Sequence, residues 1–434
     1  MEYYSTRNKG YRTTLEDAVK RGMAPDGGLF MPVHIPVLTR NELEHIRKSD
    51  SLAGTGHIVA SKLFGEDIPS SQLEEIVFEA LNFETPVASV SEGIHALELF
   101  HGPTLAFKDV GARFMARLLK YFYRSTTEHV HVLVATSGDT GSAVANGFLG
   151  VEGISVHVLY PSGQVSQLQE KQFTTLGANI TALEIDGTFD DCQALVKQAF
   201  ADNELREKMI LTSANSINLA RFLPQSFYFF RAWSQVPADE LVISVPSGNY
   251  GNLTAGLVAR EMGLPVNTFL AASNANDVVP EYLEKGEYNP RPSIQTIANA
   301  MDVGTPSNFE RILDLFGNSH ERITRHLVGS RYSDTQIRDI ISRIYIENNY
   351  TLDPHGATGY QSSFEYRETH PGATTVFLET AHPAKFPDVV NEVTGTNVEI
   401  PERLQAFAAG KKSSIEMNKD YEEFKAYLTK KIPG

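Results

Sequence analysis

The chain has 434 residues, 41% of them hydrophobic, which suits about two or three domains with substantial cores and gives no indication of disorder. Its formal charge is -15, from 38 basic and 53 acidic residues, and no basic block or stripe follows a phosphate backbone, so nucleic acid is not an expected partner. The lone Cys192 cannot close an intrachain disulfide, and its neighbours Asp190, Asp191 and Gln193 supply neither a Cys-His pair nor metal-ligand spacing; no metal is expected. The opening Met1-Glu2-Tyr3-Tyr4-Ser5-Thr6-Arg7 lacks the basic-then-apolar layout of a secretory signal, and no apolar run approaches a membrane span, so a cytoplasmic location and no membrane partner are expected.

Residues 1–95 read as a separate unit, with helical patterns over 14–21, 40–48 and 72–81 and a turn at Ala24-Pro25-Asp26-Gly27-Gly28-Leu29-Phe30. From residue 97 short β-branched runs alternate with helical patterns: 97–100, 130–135, 154–159, 180–185, 209–212, 241–245, 266–271 and 374–378. This alternation predicts an α/β fold, with two doubly wound, mostly parallel domains and a cleft between them, plus the N-terminal, mainly helical unit. The expected division is 1–95, a larger α/β domain from 96–129 with 236–434, and a smaller one over 130–235.

Three polar loops fall where an apolar run gives way to a helix. The first is His101-Gly102-Pro103-Thr104-Leu105-Ala106-Phe107-Lys108-Asp109. A lysine just after a Gly-Pro turn, opening an amphipathic run, can be buried at a helix start where the macrodipole lowers its pKa. Such an amine can form a Schiff base, although a Phe-Lys-Asp triplet alone reads more simply as a solvated helix-terminal lysine. The second loop, Thr136-Ser137-Gly138-Asp139-Thr140-Gly141, offers the hydroxyls of Ser137 and Thr140 and backbone N–H groups to a carboxylate, or merely caps its helix. In the third, Pro246-Ser247-Gly248-Asn249-Tyr250-Gly251-Asn252, the glycines let backbone N–H groups approach a phosphate. Its spacing is neither the dinucleotide fingerprint nor the nucleotide-triphosphate motif, so the phosphate of a small cofactor fits better.

Ligands of doubly wound folds lie outside the carboxyl ends of the strands, so the three loops are expected to share one pocket. Residues 213–221 add Ser216 and Arg221, either a hydroxyl and fixed cation for a second phosphate or a cap and a surface arginine. Phe377-Leu378-Glu379-Thr380-Ala381-His382-Pro383-Ala384-Lys385 ends another run; His382 has no metal-spaced partner and is expected to be structural.

A lysine in Phe-Lys-Asp, a Ser-Gly-Asp-Thr-Gly loop, a glycine-rich phosphate loop and the late Thr380 together resemble the fold type II, tryptophan-synthase-β-like family of pyridoxal-phosphate enzymes. Within it the chain is similar to the threonine synthases of the longer microbial and fungal type. The similarity runs through Tyr4-Ser5-Thr6-Arg7, Asp26-Gly27-Gly28-Leu29-Phe30, His101-Gly102-Pro103-Thr104, Ala214-Asn215-Ser216-Ile217-Asn218 and His382-Pro383-Ala384-Lys385-Phe386, nearly the whole chain.

The resemblance implies that Lys108 holds the aldehyde of pyridoxal 5'-phosphate, that Gly248, Asn249, Tyr250 and Gly251 bind its phosphate, and that Thr380 faces the pyridine nitrogen. A neutral hydroxyl there leaves a milder electron sink than a carboxylate would. It further implies the substrate carboxylate at Ser137 and Thr140, and the substrate phosphate at Ser216 and Arg221 with His101 close by. Two positions depart from the pattern: Ala106, where Ser often precedes Phe-Lys, and Asp139, where many relatives carry an Asn able to donate to the cofactor's ring oxygen. Ionised, Asp139 would repel that oxygen, so it either points elsewhere or carries a proton.

The implied reaction is a lyase step, the last of threonine biosynthesis: phosphate leaves the γ carbon of O-phospho-L-homoserine, water adds at the β carbon, and L-threonine forms. Lys108 then serves as the general base for the α and β protons. Alternatives are an O-phosphohomoserine phospho-lyase releasing 2-oxobutyrate, a serine/threonine dehydratase-like enzyme, and a non-catalytic cofactor-binding protein. The oligomeric state is not legible from these motifs.

Overall fold

A computed structural model describes residues 1–125 and 129–431. The apolar runs form two sheets. The larger has six strands in the order Leu327–Arg331, Thr268–Ser273, Leu241–Pro246, Thr374–Glu379, Ile94–Glu98 and Val87–Ser91, parallel except for the last pair. The smaller has five, Ile415–Asn418, Ile180–Asp186, Ile154–Pro161, Val130–Ala135 and Ile210–Ser213, all parallel. Val130–Ala135 and Leu241–Pro246 are buried at every residue, as continuous apolar runs covered on both faces must be.

The expected division is departed from at two places: Val87–Ser91 and the start of Ile94–Glu98, placed in the N-terminal unit by the 1–95 boundary, are strands of the larger sheet, and the end of the chain also lies elsewhere. Ile415–Asn418 pairs with residues 183–186, and Phe424 and Leu428 of the helix Tyr421–Thr429 enter the core beneath Leu133 and Ile185. Residues 415–429 therefore complete the smaller unit instead of extending the larger one. Residues 126–128 and 432–434 of that expected division lie outside the described residues.

The N-terminal unit is mainly helical, with a small antiparallel sheet of Arg12–Thr14, Glu2–Ser5 and Phe30–Pro32 at its start. Its helix Leu52–Phe64 escapes the periodic pattern because Gly54, Thr55, Gly56 and Val59 are poor helix formers, yet Ser51 caps it by accepting from the Gly54 N–H. The unit is welded to the rest: the Phe64 ring lies 5.3 Å from that of Phe114, which lies 5.8 Å from Phe227, in one continuous core. Among the described residues no helix is long and apolar enough to cross a membrane. Cys192 is buried, and burial pushes its thiol up to about 12, which leaves it unreactive.

Candidate active site

A cleft of about 440 Å³ opens at the carboxyl ends of strands from both sheets, and all three polar loops line it. Lys108 is the first residue of the helix Lys108–Tyr123. The turn that delivers it is held from several sides. Leu105 sits in the left-handed region at φ 55°, a conformation that costs a non-glycine residue about 1–3 kcal/mol. Buried Asp109 accepts from the Thr104 N–H at 2.8 Å and the Thr104 hydroxyl at 2.7 Å, and the Phe107 N–H donates to the Thr380 carbonyl at 2.9 Å. Part of Lys108 opens on the cleft, but burial of its amine, aided by Lys385 and Arg221 and opposed by Asp139, brings it down to about 8.

In the second loop Thr136, not Ser137 or Thr140, does the capping: its hydroxyl accepts from the N–H groups of Gly138 and Gly141 at 2.9 and 2.8 Å. Ser137 and Thr140 are thereby left to face the cleft. Gly138 is required twice over, since its φ is 145° and an added Cβ would lie 2.7 Å from Gln169 Oε1.

Asp139 stands on the cleft wall with its carboxylate turned to a lysine and a glutamine. Its Oδ1 lies 2.5 Å from Lys385 Nζ and accepts from Gln169 Nε2 at 2.9 Å. Burial alone would raise this carboxyl, but Lys385 and Lys108 outweigh it and hold the group far below the usual carboxylate range. Lys385, itself fully buried, also donates to the Thr104 carbonyl at 2.9 Å and so ties the second loop to the turn before Lys108. Its role had no signal in sequence, because it depends on the strand Thr374–Glu379 lying beside Ile94–Glu98.

The third loop lines the cleft where the helix Gly251–Glu261 begins. Tyr250 turns through φ 61° and its hydroxyl bonds Ser273 Oγ at 2.8 Å. A Cβ on Gly248 would fall 2.5 Å from Met301 Cα, so only glycine lets the backbone pass. Ser216 lines the cleft together with Arg221 and is also tied to the third loop: Asn249 Nδ2 and Asn308 Nδ2 both donate to its oxygen, at 2.8 and 3.2 Å, which leaves its own proton to give.

Arg221 is buried on the cleft wall. One Nη donates to the Ala214 carbonyl while Nε, also buried, has no acceptor among the described residues. Burial lowers its guanidinium to about 10.

His101 is not brought to the cleft. Its Nε2 lies 2.8 Å from Glu98 Oε2 and its carbonyl accepts from Arg403, so the side chain is held on the far side of the turn. His101→Ala is expected to change KM by no more than about two-fold in steady-state kinetics, the effect of a substitution away from the reacting groups. His382 is structural as expected: it packs edge-on against Phe100 at 5.2 Å, accepts from the Ala384 N–H, and is lowered to about 4, mainly by burial. Sequence reasoning also missed Asp302, which lines the cleft and which burial raises to about 6.

Two features show that these residues suit pyridoxal phosphate. Gly248 lets the 248–252 backbone line the cleft where a Cβ would strike Met301, and a depressed lysine amine shares the cleft with Arg221, a buried guanidinium with no carboxylate within ion-pair distance among the described residues. On two mostly parallel sheets, that combination defines a class, the pyridoxal-phosphate-dependent enzymes of the tryptophan-synthase type.

Comparison with known proteins narrows the class. Residues 83–381 match the family model of the pyridoxal-phosphate dependent enzyme, residues 2–81 that of the threonine synthase N terminus, and residues 356–428 that of the threonine synthase C-terminal region. Threonine synthase of Haemophilus influenzae is 43% identical over 99% of this chain and 100% of its own length. The structure of threonine synthase from Escherichia coli superposes with a TM-score of 0.92 at 40% identity, covering 99% of this chain and 100% of that one. That of pyridoxal-phosphate-bound threonine synthase from Brucella melitensis gives 0.93 at 33% identity, with 100% of both chains covered. The chain belongs to the threonine synthase family, and its cofactor is pyridoxal 5'-phosphate.

Proposed function

We propose that the protein converts O-phospho-L-homoserine and water into L-threonine and phosphate in this cleft. The observation that favours a phosphorylated substrate is Arg221. This buried cation on the cleft wall has no carboxylate within ion-pair distance among the described residues, and the 248–252 loop lines the same cavity. A dehydratase acting on a plain hydroxy amino acid requires only the cofactor's cradle.

In this reading Gly248, Asn249, Tyr250 and Gly251 hold the cofactor phosphate, with the Ser216 proton directed at the same group. Thr380 faces the pyridine nitrogen as a neutral hydroxyl. When bound, the cofactor supplies the electron sink for charge developing on the substrate's carbon atoms. Ser137 and Thr140 would donate to the substrate carboxylate, Arg221 would grip the substrate phosphate, and Lys108, which lines the same cleft, would carry protons at the α and β carbons. The Asp139–Lys385 pair keeps a full negative charge from facing the cofactor's ring oxygen unbalanced. A lone buried thiol fits a reducing compartment, and we place the reaction in the cytosol, to be checked by cell fractionation.

The test is to assay phosphate, threonine and 2-oxobutyrate in one tube with O-phospho-L-homoserine. Threonine and phosphate in equal amounts are expected; 2-oxobutyrate as the main product would replace this reading with a phospho-lyase. Arg221→Ala is expected to lower kcat/KM by about thirty-fold or more, corresponding to the loss of about 2–5 kcal/mol when one partner of a buried charged contact is truncated. The pH dependence has a defined sign. A depressed lysine is neutral and nucleophilic above its folded value, so uptake of pyridoxal phosphate by the cofactor-free protein should accelerate as pH rises through about 8 and then level off. A stopped-flow series flat across that range would contradict the role given to Lys108.

A further inference from the structure

Behind the 248–252 loop lies a charge that the reaction does not use. Arg311 is fully buried, and among the described residues it has no carboxylate within ion-pair distance. Its contacts are neutral: Nε donates to the Phe30 carbonyl at 3.2 Å, Nη1 to the Ser216 carbonyl at 3.2 Å and to Asn308 Oδ1, and Nη2 to the Ile217 carbonyl at 2.6 Å. The guanidinium carbon stands 4.0 Å from the centre of the Phe222 ring. These partners satisfy its hydrogen-bond geometry but not its charge, and burial accordingly lowers it to about 9, with only Glu310 opposing. An uncompensated buried cation is unfavourable unless an anion is brought near it.

The anion site is one residue away. Asn308, on which Arg311 bonds, donates through Nδ2 to Ser216 Oγ at 3.2 Å and through its backbone N–H to the Asn249 carbonyl at 3.3 Å. A Cβ on Gly251 would lie 3.2 Å from both Asn308 Nδ2 and Ser216 Cβ, so Arg311, Asn308 and the loop are packed as one body. The far side of Arg311 rests on Phe30 of the N-terminal unit, which also accepts Asn218 Nδ2 on the Val19 carbonyl at 2.9 Å.

We propose that Arg311 is the positioning cation for the cofactor's phosphate, its charge acting through Asn308 and Ser216, and that it couples the N-terminal unit to cofactor retention. This rests on reading the 248–252 loop as the phosphate cradle. A purely structural arginine would hold the loop whatever ligand came; a charge matched to the phosphate distinguishes pyridoxal phosphate from pyridoxal, which has the same aldehyde and no phosphate.

The experiment is an equilibrium titration of the cofactor-free full chain with each of the two aldehydes. Arg311→Gln is expected to weaken pyridoxal phosphate by about ten-fold or more and to leave pyridoxal within about two-fold, while Arg311→Lys retains most of the preference. Equal losses for both aldehydes, an unchanged preference, or equal effects of Gln and Lys would each overturn the proposal. Gly248→Ala, whose Cβ must displace the loop from Met301, separates the two layers: if it keeps the preference, the phosphate-cradle reading itself falls, whereas if it loses the preference and Arg311→Gln does not, only the role of Arg311 falls. Should Arg311→Gln fail to fold, the phosphorus resonance of cofactor bound to the unaltered protein decides. A constant dianion signal is expected from about pH 6 to about 9, and titration near the value of about 6 typical of a free phosphate monoester would overturn the proposal.

Discussion

Lys108→Ala is expected to abolish the visible absorbance band of the lysine-bound cofactor and to reduce threonine formation by more than the about 10²–10⁴-fold that a positioned general base contributes. The loss exceeds that range because one amine both anchors the aldehyde and carries the protons. The site holds a second buried lysine, and the geometry says why it is no substitute: Lys385 is engaged by Asp139 at 2.5 Å and by the Thr104 carbonyl at 2.9 Å. Lys108 has no hydrogen-bond acceptor among the described residues and an amine lowered to about 8 by burial, so a free lone pair is available near neutral pH. Borohydride reduction followed by peptide mass spectrometry should place the cofactor on the peptide containing Lys108. Label on Lys385, or a surviving band in Lys108→Ala, would refute the assignment.

Lys385→Met should destabilise the fold by about 3–5 kcal/mol near neutral pH, because removing one partner of a fully buried pair leaves the other charge uncompensated. The sign of its pH dependence is the sharper test. In the natural protein Asp139 has a depressed folded pKa, so its stabilising contribution is complete above the unfolded value of about 3.9 and is lost only on acidification below it. Without Lys385, burial prevails over the remaining attraction of Lys108 and the folded pKa rises above the unfolded one. The variant then binds a proton on folding and loses stability as pH rises through that window. Urea unfolding at about pH 5 and about pH 8 should therefore show a larger deficit at the higher pH, and a deficit equal at both would exclude the mechanism. Adding Asp139→Asn to Lys385→Met should remove the slope and recover part of the stability, since a neutral pair avoids the stranded charge. Turnover should remain low in both, because the Thr104 carbonyl keeps only Gln172 as a side-chain donor and the Lys108 turn has lost its tie to Lys385.

The eight apolar runs legible in sequence all lie in or across strands, because burial on both faces leaves a continuous β-branched signal that needs no partner to be recognised. Leu327–Arg331 and Ile415–Asn418 lie at sheet edges, carry polar residues on exposed positions, and gave no such signal. The same distinction divides the site. Lys108, the 136–141 loop and the 246–252 loop were legible as short-range chemistry at strand ends. Lys385, Gln169, Asn308 and Arg311 act through residues distant in sequence, so their partners appear only once strand order is known. The Asp139 puzzle shows this directly: a carboxylate that looked misplaced from its own loop is balanced by a lysine on another strand's exit. His101 shows the converse, since proximity to Lys108 in sequence said nothing about which side of the turn it would occupy.

The strand Ile415–Asn418 also sets the order in which the molecule can be finished during synthesis. Its neighbour Ile180–Asp186 leaves the ribosome more than half a chain earlier and would otherwise be the sheet's outer strand on that side, a row of unpaired N–H and C=O groups open to other chains. Most of the smaller unit can thus collapse early, but its border is sealed only after residues 415–418 emerge, a long-range closure that forms slowly. Nascent or truncated chains lacking this segment are left with the open edge of Ile180–Asp186, two strands from the one that leads into the Asp139 loop. Residues 415–418, which do not line the cleft, thereby cover the edge through which an unfinished smaller sheet could pair with another chain.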